Sequence, residues 1–386
     1  MPIAELPAAI LGLSILCVAS GHALLTCIAT QVWRMRSAPL PALPRPPITL
    51  LKPLCGAEPA LYEHLRTFCV QDYPQFQVIF GVSDPLDPAL AAVARLRAEF
   101  PGLPLDVVVD PRQHGTNRKV SNLINMMPVA RHDILVLADS DTWVGPDHLA
   151  AVTAPLQQRD IGLVTCLYRD VPTAGVWSRL GAMYINEWYI PAVQLALLFG
   201  FRGYVSGQTL CLRRETLQRI GGFAAVADHL ADDNRLGELV RAAGLRIELS
   251  RYPVQAQHDE PDLRSLLSHE LRWLQTLRSL RPGSFRLLFL SFSLPLAALG
   301  AALAAMAPQA RLLAAGLFLT TLLARLILHF RLRLADRGRQ LRDLWLLPVR
   351  DLLLCAVWCR TFLTSRIVWR GHAFAVGADG VMHETP

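Results

Sequence analysis

Lysine is scarce in this chain of 386 residues, where only Lys52 and Lys119 occur among 38 basic residues. The other basic residues are arginines, and a genome-wide preference for arginine is the simplest cause. Both lysines still fall in or beside segments with candidate site residues, and an ammonium is not interchangeable with a guanidinium where a compact charge meets phosphate. The chain also lacks nucleic-acid-binding motifs, so its formal charge of +7 is better explained by a membrane surface than by a nucleic acid.

Motifs of several large protein classes are missing as well. The cysteines form no C-x-x-C pair, which argues against a zinc site and a disulfide framework. Without a G-x-G-x-x-G or P-loop motif, a dinucleotide-binding domain or a P-loop NTPase has no support. H-E-x-x-H is also absent, which excludes the metal-binding helix of a zinc protease.

Long apolar runs are present at both ends of the chain. Residues 8–32 carry no charge and are long enough to cross a bilayer as an uncleaved anchor. Arg34 and Arg36 follow this run, whereas only Glu5 precedes it, so the positive-inside rule places the chain after the anchor in the cytoplasm.

Two further runs, residues 287–307 and 312–330, predict a membrane hairpin near the C-terminus. Residues 344–363 are also mostly apolar, but charged residues lie among them, and a charge within a span is costly unless it is paired. We interpret this last stretch as re-entrant or interfacial, with a true span as the alternative.

The middle of the chain has the rhythm of an α/β domain. The predicted strands are 48–51, 76–82, 105–109 and 134–138, and the predicted helices include 60–70 and 89–100. Strands that alternate with helices predict a mostly parallel sheet with right-handed crossovers. The expected segments are a membrane anchor (1–36), a proline-rich linker (37–47), a cytoplasmic α/β domain (48–283), a membrane hairpin (284–332) and a cytoplasmic, re-entrant or membrane-spanning C-terminal segment (333–386).

Asp139 and Asp141 directly follow the last predicted strand. Open α/β sheets bind ligands beyond the carboxyl ends of their strands, and carboxylate oxygens suit Mg²⁺ and Mn²⁺ with bound phosphates. A turn or a helix cap is the alternative, because aspartate is common in both. The residues around this D-x-D pattern decide between the two.

Other segments carry groups that suit a nucleotide. Asp84 follows the second predicted strand and can accept hydrogen bonds from a base or a ribose, although alone it is better explained as a turn residue. Asn117 and Lys119 precede a short helix at 120–126 and suit a diphosphate, with an exposed basic loop as the alternative. Gly207 lets the backbone approach a ligand closely, and a simple turn explains it equally well.

Candidate catalytic residues lie on two predicted helices. Asp232 and Asp233 are adjacent, and partial burial of such a pair raises the pKa of one carboxyl, which suits a general base. The alternative is a solvated helix face, and it is favoured when the pair is considered alone. His269 and Arg272 share one face of an amphipathic helix. Arginine can stabilise a leaving diphosphate, and the neighbouring Trp273 suits stacking on a ring or a membrane interface.

In this order, the segments resemble the family 2-type glycosyltransferases of the GT-A fold. The resemblance is greatest to the ceramide glucosyltransferase group (family 21) and, within it, to the hopanoid-biosynthesis glycosyltransferases. It covers residues 48–281 and the flanking membrane segments. The matching stretches are 51–56 (LKPLCG), 117–123 (NRKVSNL), 139–141 (DSD), 205–207 (VSG), 230–233 (LADD) and 269–273 (HELRW).

This resemblance implies roles for residues near the predicted sheet edge. Asp84 matches the nucleotide-binding aspartate of the family. Asp139 and Asp141 match its metal and nucleotide-sugar site, and Asp233 matches its catalytic base.

The resemblance also covers the (Q/R)-x-x-R-W motif of the family. Arg272 and Trp273 fall on its last two positions. At its first position this sequence has His269, where glutamine or arginine is usual, so the role of that position does not carry over directly.

The function implied by the resemblance is inverting transfer of a sugar from a UDP-sugar to a lipid hydroxyl, with Mg²⁺ or Mn²⁺. The expected donor is UDP-N-acetylglucosamine and the expected acceptor a hopanoid such as bacteriohopanetetrol; the alternative is UDP-glucose with ceramide. A polysaccharide synthase, which needs more spans, and a non-enzymatic scaffold are less favoured. We expect a multi-pass protein of the bacterial inner membrane with a cytoplasmic catalytic domain, and with nucleotide sugar, acceptor lipid and bilayer as partners. The acceptor is expected to enter beneath the apolar segment 188–201.

Overall fold

The computed structural model describes residues 5–35, 44–332, 337–364, 366–369, 372–377 and 380–384. The predicted linker therefore lies outside the described residues up to residue 43, as do parts of the predicted C-terminal segment. The chain forms two compact units. The helical unit comprises Met1–Arg36, Ala174–Gly200 and Glu260–Val368, and the sheet unit comprises Ser37–Thr173, Phe201–Asp259 and Trp369–Pro386.

The helices and strands of the described residues follow one another along the chain. The first are α1 (Glu5–Met35), β1 (Ile48–Pro53), α2 (Leu61–Cys69), β2 (Phe76–Val82), α3 (Ala89–Glu99), β3 (Leu105–Val109), α4 (Arg118–Met126), β4 (Ile134–Leu137), β5 (Thr142–Trp143), α5 (His148–Thr153), β6 (Ile161–Asp170), α6 (Val176–Tyr184) and α7 (Ile190–Leu198). The others are β7 (Leu210–Arg213), α8 (Arg214–Arg219), α9 (Asp232–Ala242), β8 (Arg246–Ala256), α10 (Leu263–Leu280), α11 (Pro282–Arg286), α12 (Ser293–Ala304), α13 (Arg311–Leu332), α14 (Arg337–Asp343), α15 (Leu346–Thr361), β9 (Arg366–Trp369), β10 (His372–Val376) and β11 (Met382–Glu384).

A large mixed sheet is the centre of the sheet unit. Within the described residues its strand order is β3-β2-β1-β4-β7-β6-β8-β5. The β3-β2-β1-β4 half and the β6-β8 pair are parallel, whereas β7 is antiparallel to both of its neighbours and β5 to β8. The predicted, mostly parallel sheet is therefore confirmed.

Both faces of this sheet are buried under helices. Successive side chains of a strand point to opposite faces, so Leu50 in β1 packs into the core with α2 and α3, while Leu51 packs into the core with α4 and α9. Such two-sided burial explains why the central strands read as continuous apolar runs in the sequence.

The start of α4 differs from the sequence-based expectation. The helix begins at Arg118 and not at residue 120, because the Asn117 side chain caps it by accepting a hydrogen bond from the Val120 amide at 3.1 Å. Lys119 therefore lies in the first helical turn and not in the preceding loop.

Long apolar helices are the main feature of the helical unit. Leu6–Trp33 and Pro308–Phe330 are long and apolar enough to cross a membrane. Close packing of α1 on α12 needs glycine, since a Cβ on Gly300 would lie 2.7 Å from the carbonyl oxygen of Gly12.

The first arm of the predicted hairpin is bent. Pro282–Ser291 and Ser293–Ala304 meet at 63°, and together they count as at most one further span. Pro295 contributes to the break, because it has no N–H to bond the carbonyl of Ser291 and so cannot continue the preceding helix.

Candidate active site

The carboxyl ends of neighbouring parallel strands carry the predicted acidic residues. Because β2, β1 and β4 are parallel, the turns after β2 and β4 lie at the same edge of the sheet. Asp84 follows β2, and Asp139 and Asp141 follow β4. Asp84 is exposed, and its Oδ1 accepts a hydrogen bond from the Leu86 amide at 2.8 Å. It therefore forms the turn considered above and exposes a carboxylate at this edge.

Lys119 joins two carboxylates at this edge. Its Nζ lies 2.6 Å from Oδ1 of Asp139 and 3.6 Å from Oδ2 of Asp232. Burial alone would lower the pKa of Lys119, but the opposite charges of Asp139 and Asp232 raise it above its usual range. The ammonium is therefore charged at neutral pH, and it lies in the first turn of α4, where the helix dipole also favours anions.

Asn117 holds α4 against the segment that precedes α9. Its buried Nδ2 donates a hydrogen bond to the carbonyl of His229 at 2.9 Å and lies 3.4 Å from Oδ1 of Asp232. These bonds, with the cap described above, bring Lys119 and Asp232 together. Contact of Asn117 with a nucleotide stays a prediction.

Gly207 brings the backbone into contact with the acidic residues. Its N–H donates a hydrogen bond to Oδ2 of Asp233 at 2.8 Å. A Cβ at this position would lie 3.1 Å from Oδ2 of Asp139 and 3.2 Å from Nζ of Lys119. The missing side chain thus leaves room beside these charged groups, and four predicted site residues that are distant in sequence are neighbours in space.

Asp233 has the environment of a general base. Burial and then the like charge of Asp232 raise the pKa of Asp233 to about 6, against the opposing effects of Lys119 and the Asn234 amide. Its Oδ1 accepts a hydrogen bond from that amide at 2.7 Å. A carboxyl group with this pKa is largely ionised at neutral pH and can take a proton from a substrate.

Lys52 lies beneath the turn that carries Asp139 and Asp141. Its buried Nζ donates a hydrogen bond to the Asp139 carbonyl oxygen and lies 3.9 Å from the centre of the Phe68 ring. Burial lowers the pKa of Lys52 to about 7. In the sequence, the scarcity of lysine was the signal that pointed to this residue.

His258 is a site residue that the sequence reasoning missed. Its Nε2 lies 3.3 Å from Oδ2 of Asp141, and its Nδ1 lies 2.8 Å from Oδ1 of Asp170. Both carboxylates accept hydrogen bonds, so Nδ1 donates to Asp170 and a further proton lies between Nε2 and the Asp141 carboxylate. A histidine soon after a long strand is too common in sequences to have indicated this arrangement.

The carboxylates of Asp139 and Asp141 are the kind of ligand that a hard cation prefers. A carboxylate that holds the far side of a histidine ring is the usual support of a metal-binding histidine. Within the described ranges, no cluster of three or more His, Cys, Asp or Glu side chains could hold a metal unaided. A cation at Asp139, Asp141 or His258 would therefore take further ligands from a diphosphate and water, as Mg²⁺ commonly does.

His269, Arg272 and Trp273 lie on α10 in the helical unit. Nδ1 of His269 lies 2.6 Å from Oε1 of the buried Glu260. The Trp273 ring stacks on Tyr184, with centroids 5.5 Å apart and planes 26° apart. These contacts orient His269 and Trp273, and the catalytic roles of all three residues stay predictions.

One protein family model matches nearly the whole chain. Its description is glycosyl transferase family 21, and it matches residues 13–382. The chain belongs to glycosyl transferase family 21. The predicted family and the predicted class of enzyme are thereby confirmed.

Curated relatives of this family 21 chain include ceramide glucosyltransferases. Ceramide glucosyltransferase 1 of Caenorhabditis elegans is 21% identical over 255 residues, which are 65% of this chain and 54% of that protein. The ceramide glucosyltransferase of Komagataella phaffii is 31% identical over 110 residues, 26% of this chain and 22% of that protein. The chain spans about half the length of the first of these relatives.

A solved structure shares the fold of this family 21 chain. It is a mannosyltransferase of Pyrobaculum calidifontis in complex with GDP-Man and Mn²⁺. The TM-score is 0.53 at 20% identity, and the likeness covers 92% of this chain and 99% of that one. The predicted GT-A type of fold is confirmed.

Proposed function

We propose that this family 21 chain is a membrane-bound, inverting glycosyltransferase that moves a sugar from a UDP-sugar to a hydroxyl of a lipid. The observation that carries the proposal is the cluster at the sheet edge, where the Gly207 amide binds Asp233 beside the Lys119–Asp139 ion pair. A base, a fixed cation and an open backbone lie together there, which is what transfer from a nucleoside diphosphate needs.

The donor is proposed to bind at the carboxyl ends of β2 and β4. Asp84 offers an exposed carboxylate to the base or ribose, and Lys119 with the start of α4 offers positive charge to the diphosphate. Gly207 leaves room for the sugar or diphosphate beside Asp139 and Asp233. The proposed sites of the nucleotide and of the base are therefore contiguous.

Asp139 and Asp141 are proposed to hold Mg²⁺ or Mn²⁺ together with the diphosphate, with His258 oriented toward Asp141 beside them. The fit rests on the orientation of His258, whose Nδ1 bonds Asp170 while Nε2 faces Asp141. When bound, the cation supplies positive charge to the departing diphosphate.

Asp233 is proposed to act as the base. It takes the proton of the acceptor hydroxyl as that oxygen bonds to the anomeric carbon, while the bond from this carbon to the diphosphate oxygen breaks and UDP leaves. Attack from the face opposite the diphosphate inverts the anomeric centre. Assistance of this kind contributes about 10²–10⁴-fold to the rate.

Arg272 and Trp273 are proposed to serve the same reaction from α10. The guanidinium of Arg272 would stabilise the negative charge of the leaving diphosphate. His269, oriented by Glu260, is proposed to position this helix face.

The bilayer is proposed to hold α1, the bent arm and α13, with the sheet unit in the cytoplasm of a bacterial cell. Large apolar side chains such as Leu11, Ile28 and Leu312 are exposed on these helices, as lipid contact requires. Helix α15 has 16 residues, or about 24 Å, which supports a re-entrant or interfacial position over a span of about 30 Å.

Two pairs of donor and acceptor are proposed. The curated relatives are ceramide glucosyltransferases, which supports UDP-glucose with ceramide. The motif resemblance supports UDP-N-acetylglucosamine with a hydroxylated hopanoid. Both acceptors are neutral lipids with several polar groups, so the proposed chemistry is the same.

UDP release by the purified protein tests the proposal. Each donor is offered with bacteriohopanetetrol or ceramide, with and without Mn²⁺, to the wild type, to Asp233→Asn and to the surface control Asp160→Asn. We expect acceptor-dependent release by the wild type and the control, and a loss of about 10²–10⁴-fold in Asp233→Asn with unchanged UDP-sugar binding.

Either of two results contradicts the proposal. Normal turnover by Asp233→Asn would rule out Asp233 as the base. No release with any pair by folded wild-type protein would rule out both proposed substrate pairs.

A further inference from the structure

A small polar cavity lies inside the helical unit. Its volume is about 40 Å³, which exceeds the roughly 10–15 Å³ that one water needs. It therefore has room for a few polar groups and not for a whole lipid. Its polar lining residues are His22, Thr26, Glu187, Trp188, Ser291, Ser293, Arg325 and Asp351.

Buried charges form one wall of this cavity. Arg325 donates from Nη1 to Glu187 at 2.8 Å, and from Nε and Nη2 to the two oxygens of Asp351 at 3.2 Å. All three nitrogens of the guanidinium thus contact carboxylates of the protein. Ionisable groups inside an apolar bundle are costly, and they commonly mark a site.

The same cluster is electrically neutral. Nε2 of His329 lies 3.0 Å from the Gln340 carbonyl oxygen, and Nδ1 lies 2.9 Å from Oε1 of Glu187. A carbonyl and a carboxylate both accept hydrogen bonds, so one further proton must lie between His329 and Glu187. Two carboxylates, one guanidinium and this proton sum to zero charge.

Two irregular helical segments line the cavity. Residues Ile185–Tyr189, which include Glu187 and Trp188, form a π-helical turn, and such turns are frequent at functional sites. On another side the helix breaks at Phe292, between Ser291 and Ser293. Non-helical backbone at membrane depth is tolerated where it lines a cavity, and broken helices often mark binding sites.

Neutral hydrogen-bonding groups fit this cavity best. An anionic headgroup would need a cation, but the guanidinium of Arg325 is already bound by Glu187 and Asp351. A cationic ligand would need net negative charge, which the cluster lacks. Hydroxyl and amide groups can instead donate to the Asp351 carboxylate and to the Ser293 hydroxyl oxygen, whose own proton is directed to the Ser291 carbonyl.

We propose that this cavity binds a hydroxyl or amide group in the head of the acceptor lipid, distinct from the hydroxyl that reacts. The inference rests on the proposed lipid glycosyltransferase function and adds a requirement to it. An acceptor needs at least two polar groups, one to react and one to occupy the cavity. A simple long-chain alcohol should therefore be a poor acceptor, whereas ceramide and bacteriohopanetetrol both satisfy the requirement.

Filling the cavity is the direct test. Ala192→Leu and, from another helix, Ala23→Leu place a larger side chain at its lining. Ala315→Leu makes the same change at an exposed position of α13 and is the matched control. Thermal unfolding of the full-length proteins establishes that all variants are folded.

Two readouts are measured on these proteins. Native mass spectrometry reports binding of ceramide, bacteriohopanetetrol and phosphatidylglycerol, and UDP release reports the KM of each acceptor and of a long-chain alcohol. We expect both filling variants to weaken binding of the two neutral lipids and to raise their KM by about tenfold or more. UDP-sugar binding and the control should not change.

The outcomes separate this inference from the proposed function. Unchanged lipid binding in both folded filling variants would overturn the cavity as a lipid site, and so would preferred binding of phosphatidylglycerol. Loss of binding in the filling variants without UDP release by the wild type would support the lipid site and contradict the proposed function.

Discussion

Replacing Asp232 by asparagine tests why Asp233 has the pKa of a base. Asp233 owes its raised pKa first to burial and second to the negative charge of Asp232. The substitution removes that charge and leaves the burial. It also leaves Lys119 bound to Asp139 at 2.6 Å, so the remaining cation can act more strongly on Asp233. Both effects lower the pKa of Asp233.

The expected direction of the change follows from these causes. The pKa of Asp233 rises from 3.8 to about 6, and burial is the larger cause. Asp232 is the second cause, and the charge of Lys119 opposes it. A base works only when deprotonated, so wild-type kcat/KM should fall as the pH drops through about 6. In Asp232→Asn this acid limb should move below pH 6, toward the ordinary aspartate value of 3.8.

The assay is UDP release at limiting acceptor concentration between pH 4.5 and 8, at constant ionic strength. The control is Asp160→Asn, which changes an exposed aspartate distant in sequence from Asp233. It should keep the wild-type dependence of kcat/KM on pH. An acid limb that stays at pH 6 or moves upward in Asp232→Asn would refute the assignment of the raised pKa to this pair. A profile without any acid limb would refute Asp233 as the titrating base.

Three further predictions concern glycine packing and the cation site. In Gly207→Ala the new Cβ would lie 3.1 Å from Asp139 and 3.2 Å from Lys119. The Kd of UDP measured by calorimetry should therefore rise about tenfold, while the Tm should not fall. An unchanged Kd would contradict the proposal that UDP approaches the backbone of Gly207 closely. His258→Phe should weaken Mn²⁺ binding in titration calorimetry by about 10- to 100-fold. The control His132→Phe, which changes a histidine before β4, should bind Mn²⁺ like the wild type. Equal Mn²⁺ affinities of the two variants would argue against a role of His258 at the cation site. Gly300→Ala should destabilise the helical unit by about 1–3 kcal/mol, because its Cβ meets the Gly12 carbonyl oxygen at 2.7 Å. Gly316→Ala, which meets nothing within 4 Å, should keep or raise the Tm, and equal Tm losses would contradict the packing explanation.

The sequence predicted which strand ends carry the site residues better than it predicted the local backbone geometry. The aspartates after the strands were found because strand periodicity and turn chemistry are local properties of the chain. The start of α4 was missed by two residues, because the cap formed by Asn117 depends on the actual backbone geometry. The bend at Phe292 was also missed, although Pro295 was visible in the sequence, since apolar composition predicts length and not straightness.

Other parts of the site could not be read from the sequence at all. His258 meets Asp141 only through the turn after β4 and the end of β8. Lys52 is buried under Asp139 because β1 and β4 are neighbours in the sheet. Such contacts depend on strand order and register, which no single segment contains.

By itself, the sequence determined the α/β character of the middle, the apolar runs at both ends and the ordered motifs of the family. These are properties of contiguous residues, because hydrophobic period and residue type act locally. Only the tertiary structure decided which distant residues meet. It placed the Gly207 amide on Asp233, gave Lys119 two carboxylates, and paired the charges of α13 and α15 around a cavity. The physical reason is that burial leaves charged groups stable only beside a partner, and the fold decides which partner is within reach.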